Sequence, residues 1–313
     1  MIRHVSSGKR AVLAAALAFA STAFAASPAY AHAVCGDRVF PATISIDDPG
    51  VGDELSLPTI QYQPIPASAS APKGTSVDYG YEWDKTITQD LGFGINGGYR
   101  TQYGAGQTVS GWDNTTLTVK DELPCSEANE FMVSLGVIRE FAKSGSHQLV
   151  VAGVIDGVSN TVPTVYAGKG LGELPIGFLR ALAVTGELGY QVSDQSSLSP
   201  NQWNYGFSVQ YSMPYLQQHV KALEIPDFLT HLVPLVEVSL SSPQNGFTTG
   251  TLAPGILYEA RAWQFGIEAV IPVNRATRQT QGNGFIAQFH LFLDDVFPNS
   301  IGKPLFDTNL WKP

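Results

Sequence analysis

Charge is what this chain has least of. Of its 313 residues only 14% are Asp, Glu, Lys or Arg, against about 25% in an ordinary soluble domain. That shortage excludes the charge-rich surface of a cytosolic enzyme, while 44% hydrophobic and 11% aromatic residues exclude disorder. No short repeat runs through the chain, which removes collagen and coiled-coil readings. Beyond the N-terminus no apolar run is as long as the roughly 18 residues of a transmembrane helix. Cysteine is nearly absent as well. Two thiols, Cys35 and Cys125, among scattered histidines make no metal site, and in an exported chain they predict a disulfide.

Export is written into the first 33 residues. Arg3, Lys9 and Arg10 precede the apolar run 11–20, and the triplets Ala23-Phe24-Ala25 and Ala29-Tyr30-Ala31 offer A-x-A cleavage sites. This is a secretory signal peptide, with cleavage near Ala31 or Ala33. His32-Ala33-Val34 before Cys35 is not a lipoprotein pattern. Three of the 18 basic residues leave with the signal while all 27 acids stay. The mature balance of −12 then excludes nucleic acid as a partner.

What the mature chain has in quantity is alternation of period two. From Trp203 to Tyr211 the odd positions are Trp, Tyr, Phe, Val and Tyr, and the even ones are Asn204, Gly206, Ser208 and Gln210. Residues 263–271 repeat this, with Gln264, Gly266 and Glu268 on the minor face, as do residues 285–293, with Gln288 and His290. Weaker versions run through Val77-Tyr79-Tyr81-Trp83, Phe131-Val133-Leu135-Val137, Leu182-Val184-Gly186-Leu188-Tyr190 and Val236-Val238-Leu240. Strands of about ten residues are the length at which tilted β-structure crosses a bilayer. A soluble sandwich would show Lys, Glu and Thr on the non-apolar face. Here that face carries Gly, Ser, Gln, Asn and isolated carboxylates, and the apolar face ends in Tyr or Trp. The pattern predicts an all-β fold, a closed antiparallel transmembrane β-barrel.

Connection lengths give the strand count. Reading backwards from a last strand that ends in the periplasm, outer connections fall at 274–283, 242–249, 194–201, 142–145 and 96–111. Inner ones fall at 259–262, 212–229, 157–180, 124–128 and 84–86. With 55–62 as the first strand there are about twelve, and both termini are periplasmic. Cys125 then lies on the same side as Cys35, an agreement independent of the strand count. The inner connection 213–230 reads as a short amphipathic helix ended by Pro226, and 161–175 reads as irregular.

Little of the sequence looks catalytic. Gly168-Lys-Gly-Leu-Gly172 lacks the strand, helix and spacing of a phosphate loop and reads as a turn. No G-x-S-x-G elbow occurs, and Ser208 and His290 fall on well-separated strands. No catalytic residue, cofactor or metal site is predicted. Asn114-Thr-Thr matches a glycosylation sequon but carries no information in a bacterial envelope protein. The inward carboxylates Asp78, Glu82, Glu187, Glu237 and Glu268 are the interesting chemistry. On a wet lumen they favour cations or polar solutes. In a narrow, filled barrel they need arginines such as Arg139, Arg180 or Arg261. Both readings stand at this point.

The run from Leu252 to Asn274, Gly168-Lys-Gly-Leu-Gly-Glu-Leu-Pro175 with Leu179 to Gly186, and the end of the chain from Phe289 to Pro304 resemble one family. It is catalogued under the MetA pathway of phenol degradation, a group of Gram-negative outer-membrane barrels described as transporters. The resemblance covers roughly residues 35–306 and implies architecture and location, with no catalytic residues attached. One departure from the general barrel pattern is the twenty residues that follow Leu293.

The resulting expectation has four parts: a signal peptide over 1–33, a periplasmic segment over 34–54 tied by Cys35–Cys125, an outer-membrane barrel over 55–293, and a periplasmic tail over 294–313 that folds back on the mouth or enters the lumen. The function it implies is a channel or transporter for small solutes, hydrophobic or aromatic compounds among them. Asp78, Glu82, Glu187, Gln210, Glu237, Gln264, Glu268, Gln288 and His290 would line the lumen, and membrane lipid and the solute would be the partners. A closed structural barrel is the alternative, and a membrane-embedded hydrolase a third.

Overall fold

Alternation along nearly every segment leaves one way to bury the inner face and satisfy every strand edge, which is closure of the sheet on itself. A computed structural model shows that closure and describes residues 33–68, 72–104 and 106–311. The signal peptide therefore lies, Ala33 apart, outside the described residues. Two short strands, β1 (Ala33–Cys35) and β2 (Arg38–Phe40), form a hairpin that turns at Gly36, whose φ of 62° suits glycine. The wall follows as β3 (Glu54–Ile65), β4 (Gly74–Thr86), β5 (Leu91–Gly104), β6 (Gln107–Trp112), β7 (Thr115–Glu122), β8 (Phe131–Phe141), β9 (Asn160–Gly170) and β10 (Leu182–Ser193). It continues through β11 (Gln202–Tyr211), β12 (Leu232–Pro243), β13 (Thr249–Glu259), β14 (Trp263–Pro272) and β15 (Gly284–Phe292). Every neighbour is antiparallel, and β15 pairs with β3 to close the ring.

β6 and β7 pair with successive halves of β5 and act as one wall strand interrupted at Asp113 and Asn114, so the barrel has twelve strands. The lower half, β7, pairs onward with β8. Beside β6, residues 146–148 close the edge: Ser146 N–H donates to Trp112 O, and Ser146 Oγ accepts from Trp112 N–H.

The count agrees with the connection lengths, but one strand is elsewhere. The connection read over 157–180 contains β9, and the wall residues assigned just before it belong to a long far-end loop with a helix at His147–Val151. Pro163 and two glycines mask the strand in the sequence, although Val162, Thr164, Tyr166 and Gly168 alternate inward. Most of the outer connection read over 96–111 is wall, since β5 runs on to Gly104 and β6 starts at Gln107. The inner connection at 213–230 is two short helical pieces, and Pro226 starts the second, Asp227–Thr230, instead of ending the first.

Outward side chains form an apolar band with rings at both rims. At the far end Tyr62 stacks on Phe285 at 5.5 Å and Tyr190 leans on Trp203 at 4.7 Å with its ring tilted by 53°, while Tyr258, Trp263 and Phe289 stack in series at the end that carries the termini. Such belts sit where hydrocarbon meets headgroups. Among the described residues no helix is long and apolar enough to cross a membrane.

The tail folds back on the terminal mouth. Leu305 and Phe306 N–H donate to Thr86 O and Ile87 O, and Thr308 O accepts from Gln89 N–H. At its root, burial, with Glu54 and Asp295 adding repulsion, pushes Asp294 up to about 7. An acid whose pKa is raised on folding stabilises the docked state in full below its free value near 3.8 and loses that contribution as pH rises through about 7. Hydrogen exchange of residues 303–308 should therefore be faster at pH 8 than at pH 5 beyond the intrinsic rate change, by at most about tenfold per pH unit. Asp294→Asn should flatten the profile; a wild-type profile already flat would remove Asp294 as the cause.

Candidate functional site

The barrel interior is occupied by the chain itself. Residues 34–54, expected as a periplasmic extension, instead cross the lumen over 42–51. The path starts at the Cys35–Cys125 disulfide, with Cα atoms 5.9 Å apart, on the turn before β8. Arg38, fully buried, then docks the hairpin: its Nε and Nη2 donate to Glu130 Oε2 at 3.0 and 2.9 Å and Nη2 also to Arg180 O at 2.6 Å.

From there the segment leans first on β12 and β14. Gln264 Nε2 donates to Ala42 O at 2.6 Å, Glu237 accepts the Ser45 and Ile46 N–H groups at 2.8 and 3.1 Å, and Glu268 accepts Ser45 Oγ at 3.1 Å. It then crosses to the opposite wall. Lys120 Nζ on β7 pairs with Asp47 at 2.8 Å and donates to Asp48 O at 3.0 Å, and Ser134 Oγ on β8 donates to Pro49 O. Burial raises Asp48, against the opposing pull of Lys120. Buried Asp53 closes the crossing, accepting from Lys85 Nζ, Thr86 N–H and Thr86 Oγ1. A loop with few backbone bonds of its own is thus satisfied by wall side chains, as burial of backbone demands.

Inward glycines have the same cause. A Cβ on Gly168 would stand 3.1 Å from the Phe40 ring, one on Gly266 2.7 Å from Ile44 Cδ1, and one on Gly206 would overlap Ile46 Cδ1. The wall is hollowed where the segment's apolar side chains enter it.

The nine lumen candidates fall into three groups. Glu237, Gln264 and Glu268 hold the crossing segment, and Gln210 bonds Thr185 Oγ1 at 3.2 Å nearby. Glu82, Glu187, Gln288 and His290 line an inner cavity of about 250 Å³ between segment and wall, together with Glu54, Asp84, Lys120 and Tyr166. Asp78 lies higher, in a vestibule of about 580 Å³ towards the far mouth, paired at 3.1 Å with Arg100, which also reaches Asp113 at 3.3 Å. Asn96 borders both spaces. The arginines expected as partners serve elsewhere: Arg139 pairs with Asp194, Arg261 with Asp295, and Arg180 donates to Leu174 O.

A β-bulge builds the densest corner. Between Ser56 and Thr59 β3 carries one residue more than either neighbour, and Pro58, lacking an N–H, sits in the bulge. The slip lets Ser56 and Thr59, at odd spacing, both face inward. Thr59 Oγ1 then meets Gln288 Nε2 at 3.0 Å, and Ser56 Oγ meets His290 Nδ1 at 2.8 Å. His290 Nε2 stands 3.0 Å from Glu54 Oε2 without hydrogen-bond geometry. Serine, histidine and carboxylate are therefore brought together, though not the serine (Ser208) weighed from the sequence. Glu82 pairs in register with Ser56 and Asp84 with Glu54. An oxyanion formed on a Ser56 adduct would face carboxylates where catalysis needs N–H donors. Among the described residues no set of three His, Cys, Asp or Glu side chains is arranged to hold a metal ion.

No family model and no curated protein matches the chain. Solved structures do. The COG4313 outer membrane channel from Pseudomonas putida F1 superposes with a TM-score of 0.50 at 14% identity, over 81% of this chain and 99% of that one. The NanC porin gives 0.47 at 11% identity over 76% and 98%, and the KdgM porin 0.41 at 10% over 74% and 98%. The fold is that of an outer-membrane β-barrel. With its apolar outer face and paired aromatic belts, the wall belongs in the lipid of a Gram-negative outer membrane. The MetA-pathway name rests on the sequence resemblance, and the structural likeness carries the barrel fold.

Proposed function

We propose that the protein is an outer-membrane diffusion channel for small solutes, closed at rest by its own residues 42–51. The observation that carries this reading is the way the segment is held. Side-chain acceptors and donors on opposite walls grip it across the lumen, and water-accommodating spaces lie beside and above it. A barrel built only for rigidity has no need of hollowed wall positions or of a vestibule leading to the obstruction. In this reading the disulfide, both termini and the tail face the periplasm, and the vestibule faces outward. The wall offers carboxylates and amides to a passing solute, so polar solutes are better matched than the hydrophobic or aromatic compounds that the family resemblance implies.

Planar-bilayer recording tests it. Glu237 accepts two backbone N–H groups, and hydrogen bonds to a charged acceptor contribute about 1.5–3 kcal/mol each. Allowing for water replacing one of them, Glu237→Ala should shift the open-to-closed ratio by about 2 kcal/mol, roughly 30-fold. Rare, brief openings in the wild type should become frequent. A variant as silent as the wild type would favour the second reading, a permanently closed barrel, which the occupied lumen otherwise supports.

The hydrolase reading has its own test. A fluorophosphonate probe should leave Ser56 unlabelled, because carboxylates surround it. Labelling that disappears in both Ser56→Ala and His290→Ala would make the Ser56–His290–Glu54 corner an active site.

A further inference from the structure

The inner cavity is charged far out of balance. Asp47, Asp48, Glu54, Glu82, Asp84 and Glu187 face it, and Lys120 is its one lysine or arginine. Lys120 is committed, since its Nζ lies 2.8 Å from Asp47, donates to Asp48 O and stands 4.5 Å over the Tyr166 ring. That half of the cavity already holds an alkylammonium, by a carboxylate, a carbonyl and an aromatic face.

The other half has the acceptors and no cation. Glu54 and Asp84 are partners across β3 and β4, and Glu82 is the next inward residue on β4. No lysine or arginine pairs with any of the three among the described residues. Asp84 lies over Gly94, where a Cβ would displace its carboxylate, so the glycine keeps room for it. His290, 4% exposed, turns Nε2 into the same corner, where it stands 3.0 Å from Glu54 Oε2 without hydrogen-bond geometry. Enclosed carboxylates take up a proton or a counter-charge, and enclosed polar atoms need a partner.

We infer that the Glu54–Glu82–Asp84–His290 corner binds the ammonium group of a small aliphatic amine, in the manner in which Asp47 and Tyr166 hold Lys120. An ammonium on an alkyl stem spreads three N–H donors over separated acceptors, which suits side chains not gathered closely enough for a metal ion. The stem has Val51 and Ile138 to lie against. A space of about 250 Å³ takes a molecule of several heavy atoms, since a single water occupies about 30 Å³. The approach is also graded: the vestibule carries Asp78, Asp113, Glu140 and Asp156 against Arg100 alone, a field that concentrates cations at the way in. Only this approach rests on the channel reading; the site itself does not.

The test is calorimetric titration of the full mature protein, folded in detergent at about 0.3 M salt so that loose surface pairing is screened. The probes are n-butylamine and its neutral counterpart 1-butanol. Butylamine should bind saturably at one site and butanol should not, and Glu82→Gln/Asp84→Asn should weaken the amine at least tenfold. Equal behaviour of amine and alcohol, or of variant and wild type, would overturn the inference. If the double variant fails to fold, the single Glu82→Gln must still weaken binding, and unchanged affinity there counts against the site equally. Liposome swelling with an uncharged sugar keeps the two readings apart. Sugar uptake by a plug-weakened variant without amine binding sinks the site alone, and amine binding without any uptake sinks the channel alone.

Discussion

Replacing residues 42–51 by a Gly/Ser linker of equal length should turn a nearly silent barrel into a steadily conducting one. The linker keeps the Cys35–Cys125 tether and the Arg38 anchor on one side and the start of β3 on the other, so the barrel loses only its obstruction. The wall should survive because its ladder closes through β15 and β3 without help from the segment. What remains is a lumen with Glu82, Glu187, Glu237 and Glu268 facing water and Lys120 released from Asp47. The open pore should therefore prefer cations, as carboxylate-lined pores do. Glu237→Gln/Glu268→Gln in the opened barrel should reduce that preference. Current steps with reversal potentials shifted towards the cation equilibrium are the expected record. A linker variant that still migrates as a folded barrel on unboiled gels, yet conducts nothing, would mean that something other than residues 42–51 closes the lumen.

Much of the wall could be read from alternation, because lipid on one side and an enclosed interior on the other impose opposite chemistries on successive residues. The nine residues from Trp203 to Tyr211 show the limit of that reading. They reveal that Gly206, Ser208 and Gln210 face inward, but not what they face. Gly206 is small because Ile46 needs the space, and Ile46 lies 160 positions earlier in a stretch with no periodicity. A short irregular segment with Pro41, Pro49 and two glycines looks the same whether it dangles in the periplasm or fills a barrel. The inward glycines Gly168, Gly206 and Gly266 were the available signal, since a wet lumen gives no reason for three such hollows.

Site residues divide in the same way. Those on regular strands, Glu82, Glu187, Glu237, Glu268 and His290, were legible by parity. Those set by an irregularity were not. Ser56 joins His290 only because a bulge at residues 57–58 changes the parity of β3, and a count in steps of two across Pro58 assigns it to the wrong side. Glu54 reads in the sequence as the end of the extension, outside the wall, whereas it starts β3. Asp84 reads in the sequence as part of a turn, whereas β4 runs on to Thr86 and carries it inward below Glu82. Lys120 looks in the sequence like one lysine in the polar stretch of β7, although a base is scarce on an inward face with hardly any others.

The second large effect concerns the anchor. Arg38→Ala should cost the docked hairpin about 3–5 kcal/mol, the range for removing one member of a buried, hydrogen-bonded ion pair. Glu130 shows why. It occupies a left-handed backbone position, φ 46°, in the turn before β8, and its carboxylate gathers the Arg38 fork, the Gly172 N–H at 3.0 Å and the Tyr215 hydroxyl at 2.6 Å. Burial, and then the bond to Glu130, push Tyr215 up to about 12, so the hydroxyl stays a donor over any working pH. The Tyr215 ring lies 3.6 Å under the Arg38 guanidinium, which adds a stacking contact that lysine cannot reproduce. Without Arg38 the carboxylate stays enclosed with two neutral donors, and the hairpin keeps only the disulfide, the packing of Phe40 and Ala33 against Met132 and Ala183, and the Asp37–His219 contact. Limited proteolysis should then cut residues 36–53 while the barrel core persists, and Arg38→Lys should fall between wild type and alanine. Arg38→Met/Glu130→Met removes both charges together and should recover most of the loss, because no buried charge is left unpaired. Equal protease resistance of Arg38→Ala and wild type would show that the disulfide and the Glu237 contacts hold the segment without this anchor.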